Sequence, residues 1–358
     1  MALVTAAGLA LVGYSYRATS HLLLSAGDEE FLHVTEHTAA RVRNLLAPAR
    51  LLVELLARHP LTRARSLHAR LEALPLLATA LAAHPEISAV YVGFGDGDFF
   101  LVRSLSDSVH RSLGAPSAAA FLVQSLAGAD GPARGRYLFL DAQLGVVRDE
   151  PRPDYRFDPR SREWYRQGVS SATLVRTSPY VFFTTREVGT TLARRSDDGG
   201  TVVGADITLQ ELSRHLAQSR VTPSARLALV DPRGFVIAHP DSARLVRPGP
   251  TGDPGLTRLD DLGDAVLGSL VTAASPPERG HTTLAVDGRP WVGGKRAIAV
   301  DVGEPLTLLL AAPRDELVAE ARGLAKWQLL IGLGVLGLTL GLVWLSARRI
   351  SRPLETLA

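Results

Sequence analysis

Residues 157–165 read Phe-Asp-Pro-Arg-Ser-Arg-Glu-Trp-Tyr, a stretch rich in side chains suited to holding a small charged ligand. Asp158-Pro159 is a helix-start pair, with the aspartate as cap and the proline in the first turn. If a helical turn begins at Arg160, then Arg162 and Tyr165 lie three apart on one face and Trp164 flanks them. A guanidinium beside aromatic rings can fork onto a carboxylate while the rings close over the rest of the molecule. The same residue types would also serve as an aromatic core plug with solvated arginines. Residue chemistry alone leaves both readings open.

Other chemistries find less support. The chain has no cysteine, which excludes disulfides, thiolate metal sites and cysteine nucleophiles. His239 and Asp241 stand close together, with Asp231 and His281 elsewhere, but no His-x-His, His-Glu-x-x-His or calcium-loop spacing exists. No metal and no cofactor is therefore expected. There is no Gly-x-Ser-x-Gly, and the pairs Asp197-Asp198 and Asp260-Asp261 sit in turn sequence, where carboxylates are ordinarily solvated. Gly93, Gly95 and Gly97 follow a strand into a hairpin rather than a phosphate-binding helix. No catalytic residue is expected. The net charge of +3 gives no nucleic-acid footprint.

The elements that must position residues 157–165 follow from periodicity. Residues 28–57 repeat apolar side chains at helical spacing, and a second helix is expected over 66–83, stopping at His84-Pro85. Residues 87–94 alternate like a strand, turn at Gly95-Asp96-Gly97-Asp98, and return over 99–103. A helix is expected over 117–126 and strands over 137–140 and 146–148. After the motif, strands are expected over 181–186, 190–195 and 201–206, and a helix over 209–217. A second group of strands covers 225–230, 235–238, 282–286, 291–300 and 306–311. Between them, 242–258 reads as a loop, 262–271 as a helix, and 315–326 as a helix. Two successive sheets behind one long helix make an α+β class with tandem PAS-like antiparallel modules.

Apolar content of 46% against 21% charged residues has a local cause in two end runs. Residues 2–16 carry no charge but are short for a span of about twenty residues. They read as a first transmembrane helix clipped at its N-terminus. Residues 327–345 are predominantly apolar and uncharged, with a tryptophan near each end, and are followed by Arg348, Arg349 and Arg352, which reads as a transmembrane helix with a cytoplasmic C-terminus.

The motif resembles the Tyr-Asp-Pro-Arg-x-Arg-Pro-Trp-Tyr segment of double-Cache sensor domains, the extracytoplasmic ligand-binding modules of bacterial receptors. Phe157 stands where that pattern has Tyr, and Glu163 where it has Pro. Ser178-Pro179-Tyr180 is similar to the family's pocket strand, and Val203-Gly204-Ala205-Asp206-Ile207 to the element closing its distal module. Asp231-Pro232-Arg233-Gly234 and Ile237-Ala238-His239-Pro240-Asp241 resemble the opening hairpin of its proximal module. Residues 350–357 are similar to the first helix of a HAMP linker.

The resemblance implies a first span at 1–17 and a periplasmic sensor at 18–315, its distal module over about 85–220 and its proximal module over about 225–312. It implies a linker helix with the second span at 316–347 and a HAMP start at 348–358. Residues 18–325 would lie outside the cytoplasm of a two-pass inner-membrane protein. Carried over by motif, Arg162 and Trp164 would hold a ligand carboxylate, with Phe157 and Tyr165 lining the pocket. Tyr180 and Asp206 would hold an ammonium. The implied ligand is an amino acid, an amine or an organic acid, and Arg162 argues for a carboxylate over a bare amine. Without the hydroxyl that Phe157 lacks, purines also stay open. The implied protein is a homodimeric receptor that passes a signal to a cytoplasmic output and is not itself an enzyme in this region. The alternative is a membrane-anchored binding or scaffold protein without signal output.

Overall fold

The computed structural model describes residues 2–128, 134–182, 187–248, 254–273 and 281–319, and scattered positions between 326 and 344. Helix α1 (Ala2–Leu56) is the spine. From Phe31 onward, Phe31, Val34, Thr38, Val42, Leu45, Leu52 and Leu56 are buried at steps of three, four and seven, so one stripe faces the protein. That stripe packs on both sheets. Residues 2–16, expected as a first span, form the opening turns of α1. Among the described residues no helix is long and apolar enough to cross a membrane. The expected second span and the HAMP-like start fall largely outside the described residues.

The helix expected over 66–83 is divided into α2 (Leu67–Leu71) and α3 (Leu74–Ala83), because Pro75 sits in the first turn of α3 and cannot continue a helix from before it. The first sheet then begins with β1 (Ile87–Phe94) and β2 (Phe99–Ser104), followed by α4 (Asp107–Leu113). Next come β3 (Phe121–Ala127), β4 (Arg134–Leu140) and β5 (Val146–Arg152). The helix expected over 117–126 is therefore wrong. Its alanine run favours a helix, but Phe121-Leu122-Val123 is an apolar run buried on both faces between β2 and β4, and that burial decides. Pro151 is accommodated because β5 is an edge strand.

Helix α5 (Glu163–Ser170) is followed by β6 (Val175–Arg176), β7 (Tyr180–Val181), β8 (Val188–Arg195) and β9 (Thr201–Thr208). The strand order is β5-β4-β3-β2-β1-β9-β8-β6, with β7 also on β8, and every pairing is antiparallel. Expected strand 181–186 is confined to its first residue; residues 183–186 lie outside the described set.

Helix α6 (Gln210–Gln218) leads to a second sheet. Its strands are β10 (Arg226–Val230) and β11 (Val236–Ala238), then, beyond a ribbon of β12 (Val246–Pro248) and β13 (Pro254–Leu256), β14 (Thr282–Val286), β15 (Arg289–Ile298) and β16 (Leu306–Pro313). The order is β11-β10-β16-β15-β14, again antiparallel. The ribbon replaces the loop expected over 242–258. Helix α7 (Ala265–Thr272), capped by Asp264 through the backbone N–H groups of Val266 and Leu267, covers this sheet with Val266, Leu267 and Leu270. Of the helix expected over 315–326, α8 (Arg314–Leu317) and the helical residues 319 and 326 are described, and residues 320–325 lie outside the described set. The two modules are tied by the Arg176 guanidinium, which donates to the carbonyls of Val302 at 2.7 Å and Glu304 at 2.6 Å.

Candidate functional site

The faces of the first sheet divide by strict alternation. Val90, Val92, Phe100, Val102, Val203 and Ile207 point toward α1 and α3. Ala89, Tyr91, Phe99, Leu101 and Val202 point the other way, where Trp164 and Tyr165 of α5 cover them. Asp206 and Thr191, opposite each other on β9 and β8, share this second face.

Asp206 is 9% exposed. Its Oδ1 accepts hydrogen bonds from the Tyr91 hydroxyl at 2.5 Å and the Thr191 hydroxyl at 2.7 Å. Thr191 in turn lies 2.9 Å from the Tyr180 hydroxyl. Burial pushes the Asp206 carboxyl above the ordinary range, with the bonds from Tyr91 and Thr191 opposing. Burial, and then the charge of Asp206, push the Tyr91 and Tyr180 hydroxyls up as well. The Trp164 ring sits 4.8 Å from the ring of Tyr91 and so roofs this network. Two glycines permit the approach: a Cβ at Gly204 would stand 2.2 Å from the Tyr91 ring, and one at Gly93 would stand 2.7 Å from Trp164.

The motif itself departs from the expected single helical turn. Asp158 caps a short 3-10 turn (Pro159–Ser161), the chain extends at Arg162 with φ −86° and ψ 147°, and α5 starts only at Glu163. Arg162 and Tyr165 therefore do not share a helical face. Arg162 is exposed and lies over the Phe157 ring at 4.7 Å, while Trp164 and Tyr165 are turned inward. The Phe157 ring packs tilted against Phe99 at 4.4 Å and stacks on Tyr155 at 6.0 Å. Tyr165 meets Trp164 edge-on at 5.7 Å, but the charges acting on its hydroxyl belong to Arg160, Asp96 and Asp158 on the outer flank. Thus Trp164, Tyr180 and Asp206 converge on one network. Phe157 and Arg162 form its rim, and Tyr165 is a buttress whose hydroxyl faces away.

Three residues of the site escaped the sequence reading. Tyr91 and Thr191 complete the shell of Asp206. The third is Arg103 on β2, 7% exposed and lying among the same polar groups. Burial lowers its guanidinium below the usual range, while Asp206, Tyr155, Tyr137 and Tyr91 favour its charge. The signal available was phase: Arg103 alternates with Phe99 and Leu101, both on the covered face. A separate cleft of about 670 Å³ lies on the helix side of the sheet, lined by Arg41, Glu86, Ser104, Glu211 and Arg214 among others, and no motif residue reaches it.

A sensory domain of the Campylobacter jejuni chemoreceptor Tlp3, solved with L-valine, superposes with a TM-score of 0.52 at 15% identity, over 84% of this chain and 97% of that one. The chain has the fold of a chemoreceptor ligand-binding domain. The same domain of the Pseudomonas aeruginosa amino acid chemoreceptor PctB, solved with L-Gln, superposes at 0.50 with 21% identity, over 81% of this chain and 92% of that one. No family model matches the sequence. Among curated proteins, adenylate cyclase 1 of Rhizobium meliloti is 31% identical over 256 residues, which is 69% of this chain. The matched part spans only 37% of that cyclase. On the covered face of the first sheet, the polar groups of Tyr91, Thr191, Tyr180 and Arg103 are gathered around Asp206.

Proposed function

We propose that this chain is the sensory region of a bacterial transmembrane receptor and that its first-sheet pocket binds an amino acid or a related small carboxylate. The observation that carries this reading is Asp206, a buried carboxylate ringed by the hydroxyls of Tyr91, Thr191 and Tyr180 beneath the indole of Trp164. A buried carboxylate of this kind calls for a cation, and a ligand ammonium supplies one. Arg162 at the rim offers a planar fork for the carboxylate of the same molecule. The amino acids bound by the solved relatives named above agree with that assignment.

Residues 18–325 lie outside the cytoplasm between two spans, and the polypeptide pairs as a homodimer along α1. Ligand closure biases one of two packings of the modules, in which Arg176 and its contacts to Val302 and Glu304 join the ligand-binding half to the half leading into the membrane. The signal passes to a cytoplasmic output module, for which the cyclase relative favours a cyclase.

Calorimetry on the full chain in detergent micelles, against amino acids, amines, organic acids and purines, tests the ligand class. Saturable binding of an amino acid is expected; binding of only purines or bare amines overturns the reading. A reporter active only in the periplasm, fused after Ala358, should be silent, and an active fusion reverses the topology.

A further inference from the structure

Arg103 raises a separate question. A guanidinium that is 7% exposed ordinarily has an ion-pair or hydrogen-bond partner, because an unpaired buried charge is costly. Its Nε is fully buried and meets no partner among the described residues. The contrast with Arg70 is direct: that arginine, fully buried, donates to Asp98 at 2.7 Å, to the carbonyl of Ala64 and to that of Leu126.

Arg103 also occupies a specific place. On the covered face, one transverse row of the sheet runs Thr191, Asp206, Ala89, Arg103, Leu122. Asp206 and Arg103 are two strands apart, about 10 Å at the backbone. The residue between them is Ala89, so only a methyl group stands in the row between the carboxylate and the guanidinium. At the Arg103 end stands Tyr155, whose hydroxyl feels the positive charges of both Arg103 and Arg162. One guanidinium, that of Arg162, is exposed at the pocket rim, and a second, that of Arg103, is buried.

We propose that Arg103 is a second anion-binding residue of this pocket and that the ligand is an acidic amino acid, with its ammonium on Asp206, its α-carboxylate on Arg162 and its side-chain carboxylate on Arg103. This rests on the assignment of the pocket as an amino acid site and narrows it. A neutral amino acid would leave the buried Nε of Arg103 without a partner. A dicarboxylate without an amine would leave Asp206 with hydroxyl donors but no cation.

The test is calorimetry on the full chain with L-glutamate, L-aspartate, L-glutamine, L-asparagine, L-valine and glutarate. The acids should bind at least tenfold more tightly than their amides, and glutarate more weakly than L-glutamate. Arg103→Met should abolish the preference for acid over amide and keep the amide's affinity within a few-fold. Arg103→Lys should restore part of the preference. Because Arg103→Met removes a buried charge whose Nε has no partner among the described residues, its unliganded melting temperature should not fall, which checks folding. If amides or L-valine bind as well as the acids, or if Arg103→Met weakens acid and amide equally, the proposal is overturned while the amino acid reading stands. If none of these compounds binds, both fall.

Discussion

Tyr91 and Asp206, on adjacent strands and 115 residues apart in sequence, are joined by a 2.5 Å hydrogen bond from the phenol to the carboxylate. The ring reaches Asp206 by lying across its own cross-strand partner, Gly204. A side chain at 204 and the present position of Tyr91 are mutually exclusive. The Gly-x-Asp element thus sets the pocket twice: Asp206 supplies the charge, and Gly204 supplies the space that lets Tyr91 orient it.

Gly204→Ala should therefore act on both stability and binding. The added methyl would stand 2.2 Å from the ring, so Tyr91 must rotate or the strands must part. Overpacking of this kind costs about 1–3 kcal/mol. Chemical denaturation should show that loss. A stability within 0.5 kcal/mol of the parent, on the order of an ordinary surface change, would mean that Tyr91 has another place to go.

Asp206→Asn should uncouple stability from binding. Burial holds the Asp206 carboxyl above its usual range, so the native state binds this proton more tightly than the unfolded chain does. The stability linked to Asp206 is then complete below the ordinary aspartate range and is lost as pH rises through the raised folded value. At neutral pH the ionised, buried group weakens the unliganded protein. The amide keeps the shape without the charge, so the variant should melt higher than the parent at pH 7, with the gap closing toward pH 4. Its affinity for ligands with an ammonium should fall ten- to a hundredfold, since a charge-assisted bond contributes roughly 1.5–3 kcal/mol. Melting curves at the two pH values check the first half and calorimetry the second.

That Trp164, Tyr180 and Asp206 lie together was legible in sequence, for identifiable reasons. Trp164, Tyr180 and Asp206 belong to local motifs, and local motifs survive without knowledge of the fold. Tyr91, Thr191 and Arg103 do not, because their roles depend on register between strands far apart in the chain. Arg103 was visible only as the charged end of an apolar strand, and the groups around it, Tyr137, Tyr155 and Asp206, come from segments far along the chain. The fold shows the same division. Alternation placed β1, β2, β9 and β14 closely, whereas the alanines before Phe121 suggested a helix that the neighbouring strands overrule. The motif's helical start at Asp158-Pro159 was legible, but the extended break at Arg162 was not, since Arg162 has no Gly or Pro to mark it.

His239 should report on the second module without touching the ligand. Its Nδ1 lies 3.0 Å from both the backbone nitrogen and the carbonyl oxygen of Asp241, which ties the ring into its own turn. Burial, the main influence, lowers its proton affinity. A depressed folded value means stability that is present above the unfolded value near pH 6.5 and is lost as pH falls through the folded one. His239→Ala should cost about 1 kcal/mol at pH 7.5 and less at pH 5, where the parent has lost this contribution. Denaturation at both pH values reads the difference. Ligand affinity at pH 7.5 should be unchanged, and its loss in a folded variant would assign His239 a direct part in the pocket.

Arg162 is the sharpest test of the rim. It is exposed and rests over Phe157 at 4.7 Å, so it is held in position yet free to receive an anion. Truncation removes little from the fold, because an exposed arginine stacked on one ring contributes about 0.5–1 kcal/mol. Its effect should appear in binding. Arg162→Ala should weaken an amino acid by about ten- to a hundredfold, the worth of one charge-assisted hydrogen bond. Arg162→Lys should recover little, because an ammonium is a point charge and cannot make two parallel bonds to a carboxylate. An amine lacking the carboxylate should bind parent and variant alike, which separates loss of the anchor from collapse of the pocket. Unchanged affinity for a binding amino acid in a folded Arg162→Ala protein would make Arg162 a surface charge. The α-carboxylate would then have Arg103 as its remaining guanidinium, and the deeper cation would be the primary anchor.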